Sequence, residues 1–437
     1  MKTGLSPGVL LAAIVIVYVA IGTLYASLTP TWQVPDEPAH YNYVRALAEG
    51  RGFPVIEFGD YDQDYLECLK SARFPPELSV DTVEYEDHQP PLYYLLATPV
   101  YLLFGGVVLP LRLLSVLFGA VLLVVAFGTV RAIFPRWTEL ALMTAAFIAF
   151  IPQHVAMTAG VNNDALAELV VGGTLWALVL YVGGGHAQPW PVGLLLAAAL
   201  LAKSTAYVAP VVAVTAVLIR WRDERRTVGW AVTQVVWMLF PALLVSAPWF
   251  IRNGLTYGWH DPMGLSRHAE VVEGQMRSSE YLALHGWGGL LSRMVRWTFQ
   301  SFWGQFGWMG VVLPARIYQG LALLSVLLIV GFFWWLFDRK RLSLTSFQRA
   351  SVILLLALFL LILLEYLGYN LSFLQHQGRY LFPALIPIGM AAALGLSTLA
   401  GVLPRRTRAW AIAAFFAALA ALDVYCLFRY IIPALTR

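Results

Sequence analysis

The chain has 437 residues, of which 59% belong to the AVILMFWYC group and only 12% are charged, with 16 tryptophans and a formal net charge of +4. Soluble proteins carry about 45–50% apolar and about 25% charged residues, so no water-soluble fold has the interior to hide this excess. The composition is that of an all-α polytopic membrane protein. Cys68 and Cys426 are too few and too far apart for a disulfide framework or a Cys/His metal cluster.

A bilayer core about 30 Å thick takes about 20 helical residues. Windows of that length predict eleven spans, at 8–28, 110–132, 138–157, 164–182, 190–203, 205–220, 229–251, 314–336, 347–367, 380–401 and 409–432. The first follows Lys2 like a signal peptide, but it is long enough to span and no clear small-residue cleavage site precedes Asp36, so it is read as an uncleaved helix. A first long connection, 29–109, holds an acidic stretch from Asp60 to Asp87. It also holds an apolar segment from Pro90 to Phe104, too short to cross and expected to lie on the membrane surface. The fifth and sixth spans share one apolar run broken at Lys203-Ser204-Thr205, where a tight turn is expected because a charge at the bilayer centre costs at least a few kcal/mol. The second long connection, 252–313, alternates apolar and basic residues through Leu290 to Trp303 and reads as another surface helix. The chain is thus one integral membrane domain over 1–437, without the half-to-half repeat that would favour a transporter.

Basic residues orient such a bundle. Lys2, Arg131, Arg136, Arg220, Arg222, Arg225, Arg226, Arg339, Lys340, Arg341, Arg349, Arg405, Arg406 and Arg408 all fall on one side, giving that side a net charge of about +10 and the other about −6. This predicts a cytoplasmic N-terminus and an extracytoplasmic C-terminus. The basic excess then reflects topology, and a nucleic-acid partner loses its support.

The same topology gathers polar residues at the outer interface. Asp36, Glu37 and His40 follow the first span, and His88 precedes Pro90-Pro91. Asn163 and Asp164 lie between the third and fourth spans, and Lys203 sits at the turn. Arg252, His260 and Asp261 follow the seventh span, and His376, Arg379 and Tyr380 enter the tenth. Each also has an ordinary reading. Asp36, before Glu37-Pro38, is a good helix N-cap, as are Asn163 and Asp164; Lys203 and Arg379 could snorkel; His88 reads as a surface histidine. Glu37 and His40, one helical turn apart, could share a divalent metal. Together these residues suit sugar transfer on a face that lacks cytosolic nucleotides, where the donor must arrive already activated on a polyprenyl phosphate. Such transfer needs a carboxylate to take the acceptor's hydroxyl proton and cations for the departing phosphate.

The stretches Pro35-Asp36-Glu37-Pro38-Ala39-His40, His88-Gln89-Pro90-Pro91-Leu92-Tyr93-Tyr94, Val161-Asn162-Asn163-Asp164, Lys203-Ser204-Thr205 and Gln377-Gly378-Arg379-Tyr380-Leu381-Phe382-Pro383 resemble the GT-C superfamily of polyprenyl-phosphate-dependent membrane glycosyltransferases. The resemblance is closest to the bacterial membrane family called domain of unknown function 2142. It implies a catalytic acidic residue in the first external loop, carried onto Asp36 with Glu37 beside it, and a further acidic residue at Asp164. A divalent metal ion is a possible cofactor, and residence in the bacterial cytoplasmic membrane is implied. The expected partners are a polyprenyl-phosphate sugar donor, an envelope glycan, lipid or protein acceptor, and the bilayer. A chain ending at Arg437 lacks a large soluble C-terminal domain, which favours a glycan or lipid acceptor. On this reading Asp36 is the general base, and Glu37 and Asp164 orient acceptor or metal. Arg379, Lys203 and Arg252 hold the phosphate, and Trp287, Trp297, Trp303 and Trp308 cover the cavity. The alternatives are a transporter or flippase of lipid-linked intermediates, for which Glu365 and Asp423 are candidate in-span charges, and a noncatalytic assembly partner. Separation of Asp36, Asp164 and Arg379 by more than about 15 Å without a shared cavity would defeat the mechanism, because charge coupling through water is weak at that range.

Overall fold

A computed structural model describes residues 6–184, 188–338 and 344–436; the basic residues Lys2, Arg339, Lys340 and Arg341 lie outside them. All eleven predicted spans are helical. Among the described residues, nine helices are long and apolar enough to cross a membrane. They include α1 (Pro7–Leu28), α5 (Val108–Ile133), α8 (Asp164–Val182), α11 (Val228–Tyr257), α14 (Ala315–Phe337) and α15 (Ser346–Ser372). The predicted third span is two helices, α6 (Thr138–Ala149) and α7 (Pro152–Thr158), bent by 66°. Pro152 explains the break, since its ring clashes with the preceding turn and it offers no N–H to continue the ladder. The predicted fifth span is α9 (Pro189–Ala202), whose 14 residues reach only about 21 Å at 1.5 Å per residue, short of a bilayer core.

Lys203 ends α9 with extended dihedrals (φ −167°, ψ 153°), and a 3-10 turn over Ser204–Ala206 leads into α10 (Ala209–Asp223). The expected tight turn is therefore present. A 3-10 stretch over Gly378–Ala384 feeds α16 (Leu385–Ala400), and α17 (Arg405–Cys426) passes through a π-helical stretch, Leu427–Ile431, into α18 (Ile432–Leu435). Helices α5 and α8, α9 and α11, and α14 and α16 are the closest neighbours in the bundle. Small residues set the α14–α16 approach: a Cβ on Gly395 would come within 2.1 Å of the Leu328 carbonyl, and one on Gly331 within 2.4 Å of the Gly395 carbonyl. Such backbone contact replaces the hydrophobic drive that is absent between helices in lipid.

The two long connections meet at one end of the bundle. The first carries α2 (Glu37–Ala48), α3 (Gln63–Ser71) and α4 (Leu92–Leu103), the last packed on α2 and α5. The second carries α12 (Leu265–Val271), α13 (Ser278–Trp303) and a small hairpin of β1 (Gln305–Phe306) and β2 (Val311–Val312). A separate small core of Ala39, Leu66, Leu69, Phe74, Val83, Tyr85 and Val272 joins the two connections into a cap. Helix α13 kinks at Gly286 (φ 66°), where only glycine sits without strain. It leaves Leu284, Trp287, Leu291 and Val295 exposed along its length.

Candidate active site

Between the cap and the ends of the spans lies a cavity of about 780 Å3, walled among others by Asp36, Tyr85, Glu86, Lys203, Arg379 and Tyr380. Three of these residues, Asp36, Lys203 and Arg379, are joined through Asp164 into an ion-pair chain. Arg379 Nη2 lies 2.7 Å from one oxygen of Asp36, Arg379 Nη1 lies 3.7 Å from Asp164, and Lys203 Nζ lies 2.6 Å from the other oxygen of Asp164. The Tyr85 hydroxyl donates to the remaining oxygen of Asp36 at 2.8 Å. Residues from the first connection, the start of α8, the α9–α10 turn and the entry to α16 thus meet through contacts no longer than 3.7 Å, far inside the 15 Å limit set above.

Backbone geometry explains how Asp36 gets there. It occupies the N-cap position of α2, but with φ 66° and no capping hydrogen bond, so the capping reading fails. The left-handed conformation, which aspartate tolerates better than most residues, carries its carboxylate away from the helix end and into the cavity. Asn163 likewise precedes α8 without capping it; the Asp164 N–H is accepted by Asn162 instead. Burial alone would raise the Asp36 pKa, but the Arg379 charge, aided by His40 and Tyr85, overrides it and holds the carboxyl at about 2. Lys203 is pushed down by burial, yet Asp164 and Glu86 leave its pKa above the ordinary lysine value.

Other predicted residues stand elsewhere. Glu37 does not face the cavity: it is wholly buried, and both its oxygens receive Arg112, at 2.7 Å from Nε and 2.6 Å from Nη2, as well as the N–H groups of Trp32 and Val161. With every lone pair engaged, it is a structural clamp. Arg252 also turns away, donating to Asn253 and to the carbonyls of Phe53 and Pro54 while stacking over Trp249. His260 is exposed and absent from the cavity wall, and the Asp261 carboxylate accepts the Arg267 N–H, fixing the turn before α12. His40 lies behind the wall, hydrogen-bonded to Tyr94 at 2.8 Å; burial, with Lys203 next, holds its pKa at about 3. Asn163 is buried and donates to Gln89. His88 is buried rather than superficial. It lines the cavity with its ring 4.4 Å from that of His268, and burial followed by His268 lowers its pKa. Of the four tryptophans, Trp297 and Trp308 line the cavity, whereas Trp303 packs in the core against Phe147 and Trp287 is exposed.

Tyr85, Glu86 and Arg112 went unrecognised in the sequence. Arg112, just inside an apolar run, reads as a snorkelling residue; Tyr85 and Glu86 sit in an acidic loop whose path no local pattern fixes. Glu86 lines the cavity, and burial followed by the Asp36 charge raises its pKa to about 8.

Metal binding was the remaining expectation. Glu37 and His40 do not converge, because Arg112 holds one and Tyr94 the other. The oxygens of Asp36 and Asp164 are engaged by Arg379, Lys203 and Tyr85. Among the described residues no three His, Cys, Asp or Glu side chains gather around a common point. The donor set of the cavity does not fit a divalent ion.

Comparison with known proteins places the fold. The family model for dolichyl-phosphate-mannose-protein mannosyltransferase matches residues 88–251, a segment that includes Asp164 and Lys203 but neither Asp36 nor Arg379. ArnT from Cupriavidus metallidurans, solved bound to undecaprenyl phosphate, shares 14% identity and a TM-score of 0.53 over 97% of this chain and 73% of its own. The archaeal oligosaccharyltransferase AglB from Archaeoglobus fulgidus, in complex with an inhibitory peptide and a dolichol-phosphate, shares 13% identity and a TM-score of 0.50 over 97% of this chain. The chain spans only 55% of AglB. No curated protein sequence matches the chain. The fold is that of a GT-C-like, all-α polytopic membrane protein.

Proposed function

We propose that the protein is an inverting glycosyltransferase that moves one sugar from a polyprenyl phosphate to an envelope glycan, lipid or protein on the extracytoplasmic side of a bacterial cytoplasmic membrane. The observation that carries this reading is that Lys203, Arg379 and Asp36 line one large cavity and are joined through Asp164 into one ion-pair chain. The undecaprenyl phosphate of ArnT and the dolichol-phosphate of AglB support the donor class, as does the matched mannosyltransferase segment. The closer resemblance to the domain of unknown function 2142 family belongs to the same proposal.

In the reaction an acceptor hydroxyl oxygen attacks the anomeric carbon from the face opposite the phosphate. A new C–O bond forms as the anomeric carbon–phosphate oxygen bond breaks. The hydroxyl proton passes to Asp36, and the polyprenyl phosphate leaves with its bonding electron pair, countered by Arg379 and Lys203. A base with a pKa of about 2 is weak, and the structure suggests how it is strengthened. Phosphate arriving at Arg379 draws the guanidinium off the carboxylate, removing the charge that depresses it. Asp164 orients both cations. Glu37, with no free lone pair, supports the fold rather than the acceptor.

The test is transfer from a panel of labelled polyprenyl-phosphate sugars by purified wild type and Asp36→Asn in nanodiscs. Transfer by wild type and its loss in the variant are expected; equal transfer by both would remove Asp36 from the mechanism. One observation favours the transporter reading instead: Asp423 is fully buried with neither carboxylate oxygen partnered among the described residues, and His154 and Glu168 form a buried pair at 2.9 Å. Ionisable groups within membrane helices often mark transport paths. Translocation of a fluorescent polyprenyl-phosphate sugar across proteoliposomes, without transfer, would select that reading.

A further inference from the structure

Four basic side chains line the cavity, and three are neutralised. Lys70 lies against Glu67, Lys203 pairs with Asp164, and Arg379 pairs with Asp36. Arg293 of α13 is different: among the described residues no carboxylate reaches its guanidinium, and its Nε is buried without an acceptor. Its carbon lies 4.0 Å from the centre of the Trp297 ring and 5.3 Å from that of Tyr281. Aromatic stacking covers the faces of a guanidinium and leaves its in-plane N–H groups to bind an oxyanion in a bidentate way. His376 lines the same cavity with its Nδ1 also buried and unpartnered. Burial, reinforced by Arg293, holds the His376 pKa at about 4, so near neutral pH the ring is an uncharged donor rather than a second cation.

The two groups are held in place before any ligand arrives. The Ser278 hydroxyl donates to the Asn370 carbonyl at 2.8 Å, Arg277 bridges Phe373 through the backbone, and the Gly378 N–H donates to the Ser301 hydroxyl at 2.7 Å. The segment bearing His376 is therefore fastened to α13 at both ends. Gly378 is required there, since a Cβ would lie 2.3 Å from the Thr298 carbonyl oxygen and 2.4 Å from the Phe302 nitrogen.

Resting on the glycosyltransferase reading above, we propose that Arg293 and His376 form a second oxyanion subsite on the α13 wall, which binds a carboxylate or phosphate carried by the acceptor glycan. The donor phosphate has its own counter-charges in Arg379 and Lys203. A neutral acceptor would leave Arg293 facing the cavity without one. Trp297 and Tyr281 beside the guanidinium offer flat faces for the acceptor's sugar rings.

The test uses the full chain in phosphatidylcholine nanodiscs and two disaccharides, cellobiouronic acid and cellobiose, which differ by a carboxylate in place of a hydroxymethyl group. Wild type is expected to bind the acidic sugar about tenfold more tightly, the scale of one charge-assisted contact. Arg293→Gln should abolish that preference while leaving undecaprenyl phosphate binding unchanged, and Arg293→Lys should keep part of it. Equal affinity for the two sugars in wild type, or a preference that survives in a folded Arg293→Gln, would overturn the subsite. The same oxyanion chemistry could come from lipid headgroups. A preference present in phosphatidylcholine but abolished in phosphatidylglycerol nanodiscs would assign Arg293 to the bilayer and overturn the acceptor assignment. Failure of wild type to bind undecaprenyl phosphate would instead defeat the glycosyltransferase reading, while the sugar preference still judges the subsite.

Discussion

Asp36 and Glu37 are adjacent carboxylates, each paired with an arginine, and they do opposite things. Glu37 is wholly buried and accepts from Arg112 and from two backbone N–H groups, while Arg112 also donates to the carbonyls of Ala26, Thr29 and Pro30. That network ties α1, α2, α5 and the α7–α8 loop together. Among the described residues the Asp36 carboxylate accepts only from Tyr85 and Arg379, and 23% of its side chain is exposed. The first pair has no capacity left for a ligand. The second holds a cation that an anionic ligand can draw away. What separates them is saturation and access rather than residue type.

The largest expected effect falls on the clamp. Glu37→Ala leaves Arg112 charged and buried, a loss of about 3–5 kcal/mol, and should remove the folded protein from detergent extracts as judged by size-exclusion profile. Asp36→Asn takes the nearest counter-charge from the buried Arg379 but leaves Asp164 3.7 Å away, so it should lower the melting temperature less than Glu37→Ala with the protein still folded, and lower transfer by about 10²–10⁴-fold, the usual contribution of a positioned base. If Asp36→Asn unfolded and Glu37→Ala stayed folded, the contrast between the two would be reversed. Gly378→Ala pushes a methyl group into the α13 backbone; overpacking of this kind costs about 1–3 kcal/mol, and a lowered melting temperature together with weaker donor binding would show it. Tyr85→Phe removes one hydrogen bond to the charged Asp36, worth about 1.5–3 kcal/mol, and a lowered melting temperature with the fold retained would show it.

Acidity sharpens the comparison further. The Asp36 pKa is depressed, so its stabilisation is complete above the ordinary carboxyl value and is lost as pH falls from about 4 through about 2. Glu86 runs the other way. Its raised pKa favours the neutral carboxyl in the fold, and that stabilisation is lost as pH rises through about 8. Glu86 ionises in the presence of Asp36, Lys203 and Asp164. Donor binding should therefore weaken above pH of about 8, and Glu86→Gln should flatten that limb of the profile.

Much of this could be read from the sequence because it is periodic or local. Every apolar run became a helix, and Lys203 broke its run where a buried charge would have been costly. The gathering of Asp36, Asp164, Lys203 and Arg379 also followed from counting spans. The failures share a cause. The division of labour between Asp36 and Glu37 turns on one left-handed backbone dihedral, and Arg252 is diverted by carbonyls of a loop distant in sequence. Tyr85 and Arg293 reach the cavity only because the two long connections fold onto each other. Pattern reading reaches the ends of helices but not the paths of loops held by long-range contacts.

The fastening of α13 to the 370–378 segment has a mechanical consequence. The helix bears a row of uncovered apolar side chains, Leu284, Trp287, Leu291 and Val295, and it is stitched at both ends to the turn that continues into Arg379. A displacement of that helix is carried to the guanidinium as through a strut, so that whatever covers the apolar row has leverage on the cavity itself.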